Sequence, residues 1–175
     1  MSTEKVKAAL LQTIGGIQND PTNAHVTFGV KTAWVNGVLT KVRARQFNFT
    51  VDEPESLGGT DLAPNPVEYL LASLGTCQEI LYAAFAAVQG IPLTAVKVEV
   101  KGGLDLHGMF ALKEGVPAGF REIEYHTIIE SPAPKEVIEA LVAVVENHCP
   151  VLDTLVNPVK VTGKVEIRQT AEALN

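Results

Sequence analysis

The first part of the chain shows a helical repeat of apolar positions. Within residues 3–17, apolar side chains recur every three or four positions, which predicts an amphipathic helix. Ser2 or Thr3 can cap its start, and the Asn-Asp-Pro sequence at residues 19–21 ends it. We interpret this helix, within residues 1–20, as an accessory element.

From His25 onward the pattern changes to the alternation that is typical of β-strands. Apolar residues alternate with polar ones across residues 26–51, interrupted by Asn36 and Gly37. Asn-Gly between two strand-like runs is a strong hairpin signal, because both central residues of a type I′ turn need positive φ. We predict a β-hairpin or meander with its turn at this pair.

Two arginines lie in this apolar β-region. Uninterrupted alternation would put Arg43 and Arg45 on the same face as Phe47 and Phe49. A guanidinium among core aromatics needs an acidic or thiolate partner. The alternative is a solvated face on which both arginines reach water.

A second helix is predicted after a loop that is rich in Gly and Pro. Asn65 can cap it, Pro66 suits the first helical position, and Glu68 can complete a capping box. Steps of three and four then predict one buried face. That face comprises Leu70, Leu74, Cys77, Leu81, Phe85 and Val88. Cys77 is therefore expected to lie inside the fold.

The second half alternates strands and helices. Strands are predicted at 95–100 and 123–129, separated by a glycine-rich stretch, and a last one at 159–167. A helix starts after the Ser-Pro-Ala-Pro sequence at 131–134. Its predicted inward residues are Val137, Ile138, Leu141, Val144 and Val145. The order of elements indicates an α+β fold with sheets covered by two long apolar helices.

The second cysteine lies where the last long helix must stop. Pro150 cannot continue that helix, so Cys149 falls at a junction and can cap a short helix at 150–155. In a reducing cytoplasm, two cysteines are either inert core thiols or redox groups. Each alone fits a core thiol. His148 is a possible base beside Cys149, or equally a surface histidine.

Composition narrows the function. With 46% hydrophobic residues in 175, the chain can build one core, and we predict a single domain over 1–175. A net charge of −6 disfavours nucleic-acid binding. The four histidines are not at metal-ligand spacing. The longest strongly apolar run, 80–88, is too short to span a membrane, and the N-terminus does not resemble a secretory signal, so we expect a cytoplasmic protein.

Several motifs together resemble one protein family. They are Asp52-Glu53-Pro54, Leu57-Gly58-Gly59, Asn65-Pro66, the helix leading to Cys77, and Cys149-Pro150-Val151. The sequence is similar to the OsmC/Ohr family of osmotically induced and organic-hydroperoxide-resistance proteins, and specifically to its less characterised OsmC-like branch. The resemblance covers about residues 26–167.

The resemblance implies an OsmC-like fold, in which antiparallel sheets wrap around two long central helices of an intertwined homodimer. It also implies a thiol peroxidase site at the subunit interface. Cys77 matches the peroxidatic cysteine and Cys149 the resolving cysteine. Arg45 is the best match for the arginine that faces the thiolate, with Arg43 as the fallback. No metal or organic cofactor is implied, and the partners are an organic hydroperoxide and a dithiol reductant.

One position departs from the family pattern. Hydroperoxidase members carry a glutamate directly after Asn-Pro, where this chain has Val67 followed by Glu68. One step along a helix turns a side chain by about 100°, so Glu68 is no simple substitute. Two hypotheses therefore stay open. The chain is either a peroxidase or a non-catalytic dimer that binds an apolar small molecule at its interface and has structural thiols.

Overall fold

The protein is an α+β fold with two separate antiparallel sheets. The computed structural model describes residues 2–157 and 159–169. The elements are α1 (Thr3–Asn19), β1 (Lys31–Asn36), β2 (Leu39–Ala44), β3 (Phe47–Val51), α2 (Pro66–Gln89), β4 (Ala95–Leu104), α3 (Leu106–Met109), β5 (Phe120–Glu130), α4 (Lys135–His148) and α5 (Pro150–Val156). One sheet has the order β1-β2-β3 and the other pairs β4 with β5. The predicted fold class is confirmed.

The N-terminal helix forms as predicted. Ser2 caps α1 by accepting a hydrogen bond from the Lys5 amide. None of its residues is fully buried, although α1 packs along α2. The helix therefore covers part of α2 without contributing to the core.

The predicted hairpin is confirmed, but its turn lies one residue later than expected. Asn36 still belongs to β1 and pairs with Leu39, so Gly37 and Val38 form the turn. Gly37 takes positive φ (49°), whereas Asn36 does not. The register shifts between Trp34 and Asn36. The turn therefore begins at the second residue of the Asn-Gly pair and not at the first.

The prediction that both arginines share a face with Phe47 and Phe49 is wrong. Arg45 begins a two-residue turn between β2 and β3 and has φ 55°. Across that turn Ala44 pairs with Phe47 and Arg43 with Asn48. Because directly paired residues share a face, Arg43 lies on the face opposite both phenylalanines. The prediction failed because it continued one strand through an unrecognised turn.

A buried carboxylate holds the loop that follows β3. Asp52 is 1% exposed, and its Oδ2 accepts hydrogen bonds from the Thr60 hydroxyl (2.7 Å), the Thr60 amide (3.0 Å) and the Leu62 amide (3.2 Å). The Thr60 hydroxyl contributes most to lowering the Asp52 pKa to about 2, and burial acts against it. The loop is thereby folded back against the start of α2.

The long helix α2 begins with the predicted capping box. The Glu68 amide donates to Asn65 Oδ1 at 2.9 Å, and the Asn65 amide donates to Glu68 Oε2 at 2.8 Å. Its buried stripe is rotated from the predicted one. The buried residues are Leu74, Gly75, Gln78, Tyr82, Ala86 and Ala87, while Leu70 is exposed and Cys77 is half-buried. The two stripes share Leu74, and the observed one continues in steps of four.

The core lies between α2, α4 and the β4–β5 sheet. Its fully buried centre is formed by Tyr82, Ala86, Leu141 and Val145. Gly75 permits the close approach of α2 to the sheet, because a Cβ atom there would lie 3.2 Å from Val100 Cγ2. α2 therefore rests on β4 on one side and on α4 on the other.

The last two helices meet at the predicted junction. α4 ends at His148, and Cys149 is the N-cap of α5. Leu141 and Val145 are buried as predicted, whereas Val137 is 38% exposed. Val137 lies in the first turn of α4, where the helical repeat overstated its burial.

The predicted last strand is not formed. Residues 159–169 have no regular secondary structure, and their apolar side chains are exposed. Val161, Val165 and Ile167 are 87%, 85% and 86% exposed. Alternation favours a strand, but a strand also needs a neighbour for its backbone hydrogen bonds. Within the described chain this segment lacks that neighbour.

The helix α2 also meets the length and composition of a membrane span. It has 24 residues, and its most apolar 18-residue window has a mean hydropathy of 1.3. This window is longer than the apolar run at 80–88 from which the sequence analysis argued against a membrane span. It packs against β4, α4 and α1, and 33% of that window is buried within the fold.

Candidate thiol site

The fold brings the two cysteines together. Cys77 lies in the middle of α2, and Cys149 lies at the start of α5, which contacts α2. The two cysteines lie close enough for Cys149 to raise the pKa of Cys77. Cys149 is fully buried, and its Sγ accepts a hydrogen bond from the Leu152 amide at 3.5 Å. Both thiols are free, with Cys77 the more accessible.

The surroundings of Cys77 favour the neutral thiol. Burial raises its pKa most, because an apolar environment disfavours the charged form. The backbone amide of Val151 acts in the opposite direction by donating to the sulfur, while the nearby Cys149 raises the pKa further. Among the described residues, no cation contributes to the Cys77 pKa, so a positive charge that stabilises the thiolate would have to come from elsewhere.

An apolar groove lies in the same part of the fold, although neither cysteine is among its lining residues. Its volume is about 510 Å³. It is lined by Val67, Leu70, Leu74, Leu104, Ala118, Gly119, Phe120, Arg121, Glu122, Ile123, Tyr125, Leu152, Leu155 and Val156. Leu74 precedes Cys77 by about one helical turn, and Leu152 donates to Cys149. The groove is thus lined by a neighbour of each cysteine.

The predicted arginines lie elsewhere in the single chain. The Arg45 guanidinium stacks on Phe47, with Cζ 5.2 Å from the ring centroid. Arg43 Nε donates to the Arg45 carbonyl at 3.3 Å. Neither is among the groups that shift the Cys77 pKa. The structure therefore brings Cys77 and Cys149 together, but not Arg45.

Three other candidates have structural partners. The His148 Nδ1 lies 2.8 Å from the Val144 carbonyl, and its ring packs edge-on against Phe85. This geometry favours the structural interpretation of His148. Glu68 completes the helix cap, and Glu79 Oε1 accepts from the Val98 amide at 3.1 Å. The Glu68 cap was predicted from the sequence, and Glu79 joins α2 to β4.

A polar cluster behind the thiols was missed by the sequence analysis. Gln78 is fully buried, and neither polar atom of its side-chain amide has a hydrogen bond of good geometry. The Tyr125 hydroxyl lies near Gln78 and donates to Glu146 Oε1 at 3.0 Å. The available signal was a glutamine at a step of four between Leu74 and Tyr82. Tyr125 and Glu146 come from distant parts of the sequence and carried no local signal.

The described residues offer no obvious metal site. Within 2–157 and 159–169, no group of three or more His, Cys, Asp or Glu side chains is arranged to hold a metal ion. The chemistry available here is that of the two thiols and the polar groups near them.

The site is thus a pair of free, neighbouring cysteines on an α+β fold. The family model for OsmC-like proteins matches residues 59–164, and the chain belongs to this family. That range includes both cysteines. No curated protein matched the chain.

Solved structures support the same fold. An OsmC-like protein from Mycoplasma pneumoniae aligns with a TM-score of 0.66 and 22% identity, over 76% of this chain and 89% of that one. An organic hydroperoxide resistance protein OsmC from Legionella pneumophila aligns with a TM-score of 0.55 and 26% identity, over 74% and 89%. An organic hydroperoxide resistance protein from Elizabethkingia anophelis aligns with a TM-score of 0.56 and 22% identity, over 74% of this chain and 87% of that one. The predicted OsmC-like fold is confirmed.

Proposed function

We propose that this protein is a thiol peroxidase that reduces organic hydroperoxides. The observation that carries the proposal is the proximity of Cys77 and Cys149, together with an apolar groove that is lined by their neighbours Leu74 and Leu152. The names of two similar structures, organic hydroperoxide resistance proteins from Legionella and Elizabethkingia, point to the same substrate class. We also propose a cytoplasmic location and one domain over 1–175, with 1–20 as an accessory segment.

The proposed reaction has three balanced steps. The Cys77 thiolate attacks the O–O bond, takes the OH group as a sulfenic acid, and releases the alcohol after one proton is taken up. The Cys149 thiol then attacks the sulfenic sulfur, which forms a disulfide and releases water. An external dithiol reduces this disulfide by exchange. The net reaction converts a hydroperoxide and a dithiol into an alcohol, water and a disulfide, without a metal or organic cofactor.

The groove favours substrates with a hydrocarbon group. Moving apolar surface from water into an apolar site gains about 25 cal/mol per Å², whereas hydrogen peroxide has no such surface. Val67 lines this groove in place of the family glutamate. A valine extends the apolar wall, so the substitution fits binding of a bulky organic group.

We further propose that the active form is an intertwined homodimer. The chain exposes 13567 Å², whereas a compact monomer of its mass exposes about 8,300 Å². Much of the excess is apolar and lies on the β1–β3 sheet and its flanks, where Phe28 is 89% and Trp34 71% exposed. Such exposure is typical of a surface that another chain covers.

The dimer would also supply the missing cation. Arg45 lies in the turn between β2 and β3, at one end of the β1–β3 sheet, and its side chain is exposed. We propose that this turn brings the Arg45 guanidinium to Cys77 across the subunit interface, where it stabilises the thiolate. Arg43 remains the fallback.

A peroxide consumption assay tests the proposal. With cumene hydroperoxide and a dithiol, we expect turnover by the wild type, none by Cys77→Ser, and at most one equivalent consumed by Cys149→Ser. A wild type no faster than Cys77→Ser would refute the peroxidase function. Light scattering of the same sample gives the oligomeric state.

A non-catalytic apolar-ligand dimer is the second candidate. The raised Cys77 pKa and Val67 in the groove both favour it. Thiol titration of the native protein separates the two: inert core thiols label slowly, whereas a catalytic pair includes at least one thiol of low pKa that labels fast.

A further inference from the structure

We propose that Tyr125, oriented by Glu146, is a catalytic residue that donates a proton to the leaving alkoxide and then takes the proton of Cys149. The inference rests on the proposed peroxidase function and adds a residue to that site. It assigns the proton transfers, which the two cysteines alone leave unexplained.

The position of the Tyr125 hydroxyl supports this role. Tyr125 lines the groove, so its side chain contacts whatever molecule binds there. Its hydroxyl donates to Glu146 Oε1 at 3.0 Å, which fixes its orientation. Glu146 is exposed on α4 and connects the pair to water. The cluster therefore provides a path for protons between the groove and the solvent.

The groove that Tyr125 lines also reaches the surroundings of the resolving thiol, because it is lined by Leu152, whose backbone amide donates to Cys149 Sγ at 3.5 Å. Burial, followed by the Glu146 contact, raises the Tyr125 pKa, whereas Gln78 lowers it. A tyrosine held neutral at physiological pH can act as a proton donor.

Gln78 supports the arrangement from the core side. It is fully buried next to Cys77 in the sequence, and its amide has no hydrogen bond of good geometry. Burying an unpaired amide costs free energy, so this group is expected to gain a partner during the reaction. Its nearness to Tyr125 makes it a positioning residue for the hydroxyl.

The proton transfers balance. Attack by the Cys77 thiolate transfers OH to sulfur and releases an alkoxide, which takes the Tyr125 proton and becomes the alcohol. The tyrosinate then takes the proton of the Cys149 thiol, which restores Tyr125 and leaves a Cys149 thiolate. That thiolate attacks the sulfenic sulfur, and the hydroxide that leaves takes up the proton that Cys77 lost at the start. Tyr125 is thus regenerated in each cycle.

Comparison of two leaving groups tests the inference. Acid assistance matters for an alkyl hydroperoxide, whose alkoxide is a strong base, but little for a peroxyacid, whose carboxylate is a weak one. We expect Tyr125→Phe to lower kcat/KM for cumene hydroperoxide about 100-fold and to change it only a few-fold for a peroxyacid. Equal losses with both substrates would indicate a structural role and overturn the inference.

Two further variants complete the test. Tyr82→Phe removes a buried tyrosine hydroxyl that does not line the groove, and it should keep the wild-type ratio of the two substrates. Glu146→Ala changes an exposed residue and should reduce the alkyl hydroperoxide rate selectively, which keeps the test available if Tyr125→Phe does not fold. If the wild type is active and both Tyr125→Phe and Glu146→Ala keep its ratio of the two substrates, this inference alone is overturned. If the wild type is inactive, the peroxidase function is overturned.

Discussion

Cys149 lies close enough to Cys77 to raise its pKa, although 72 positions separate them in the sequence. Burial and this neighbour raise the Cys77 pKa above its usual value of 9.0. We therefore expect nucleophilic chemistry at neutral pH to depend on a cation that the described residues of one chain do not bring to the sulfur.

Removal of Arg45 should make this dependence visible. If Arg45 contacts Cys77 across the dimer interface, the Cys77 pKa is below 9.0 in the wild type and above it in Arg45→Ala. The pH dependence of iodoacetamide labelling, followed at Cys77 by mass spectrometry, measures both values. Arg43→Ala is the matched control and should behave as wild type. The same pKa in wild type and Arg45→Ala would exclude the arginine, and a shift in Arg43→Ala alone would assign the role to that residue.

The groove wall should determine substrate preference. Leu155 is 38% exposed and lines the groove, so Leu155→Asp places a charge where a hydrocarbon group is expected to bind. Complete burial of a leucine is worth roughly 1.5–3 kcal/mol, and we expect about a tenfold rise in KM for cumene hydroperoxide. The rate with hydrogen peroxide should not change. Leu112→Asp, at a 70% exposed position outside the groove, should affect neither substrate.

The hydrogen bonds that Asp52 accepts from Thr60 and Leu62 should make the free energy of unfolding depend on pH. Its pKa is about 2 in the folded protein and 3.8 in an unperturbed carboxyl. A lowered folded pKa means that the stabilisation is complete above the unfolded value and is lost as pH falls from about 4 to 2. Urea denaturation should give a lower free energy of unfolding at pH 3 than at pH 7 in the wild type. The difference between the two pH values should be smaller in Asp52→Asn. Asp61→Asn, an exposed change in the same loop, should retain the wild-type loss.

The capping box should stabilise the helix that carries Cys77. Asn65→Ala removes the acceptor of the Glu68 amide and should lower the free energy of unfolding by about 1 kcal/mol. Ser73→Ala is the control, because it changes an exposed residue inside the same helix. It should be neutral within a few tenths of a kcal/mol. Equal effects in the two variants would show that the cap contributes little.

The sequence predicted those features that local chemistry determines. Asn65, Pro66 and Glu68 specify the start of α2, and Pro150 specifies the break at which Cys149 caps α5. Motif resemblance predicted the family and the OsmC-like fold. These signals act over a few residues, which is why they can be found without the structure.

The sequence failed where position depends on partners that are distant in the chain. The turn at Arg45 has no Gly or Asn, so strand alternation ran through it and put Arg43 on the wrong face. Residues 159–167 have the alternation of a strand, but no neighbour in the described chain pairs with them. Tyr125 and Glu146 meet only because β5 and α4 pack on the same core.

Mapping the oxidised cysteines tests the central claim most directly. The reduced protein is treated with one equivalent of cumene hydroperoxide per chain without a dithiol, and its peptides are analysed by mass spectrometry without reduction. The account predicts a Cys77–Cys149 bridge within one chain, and a trappable sulfenic acid at Cys77 in Cys149→Ser. Two unmodified thiols after complete exposure to the peroxide, or oxidation confined to Cys149, would contradict it.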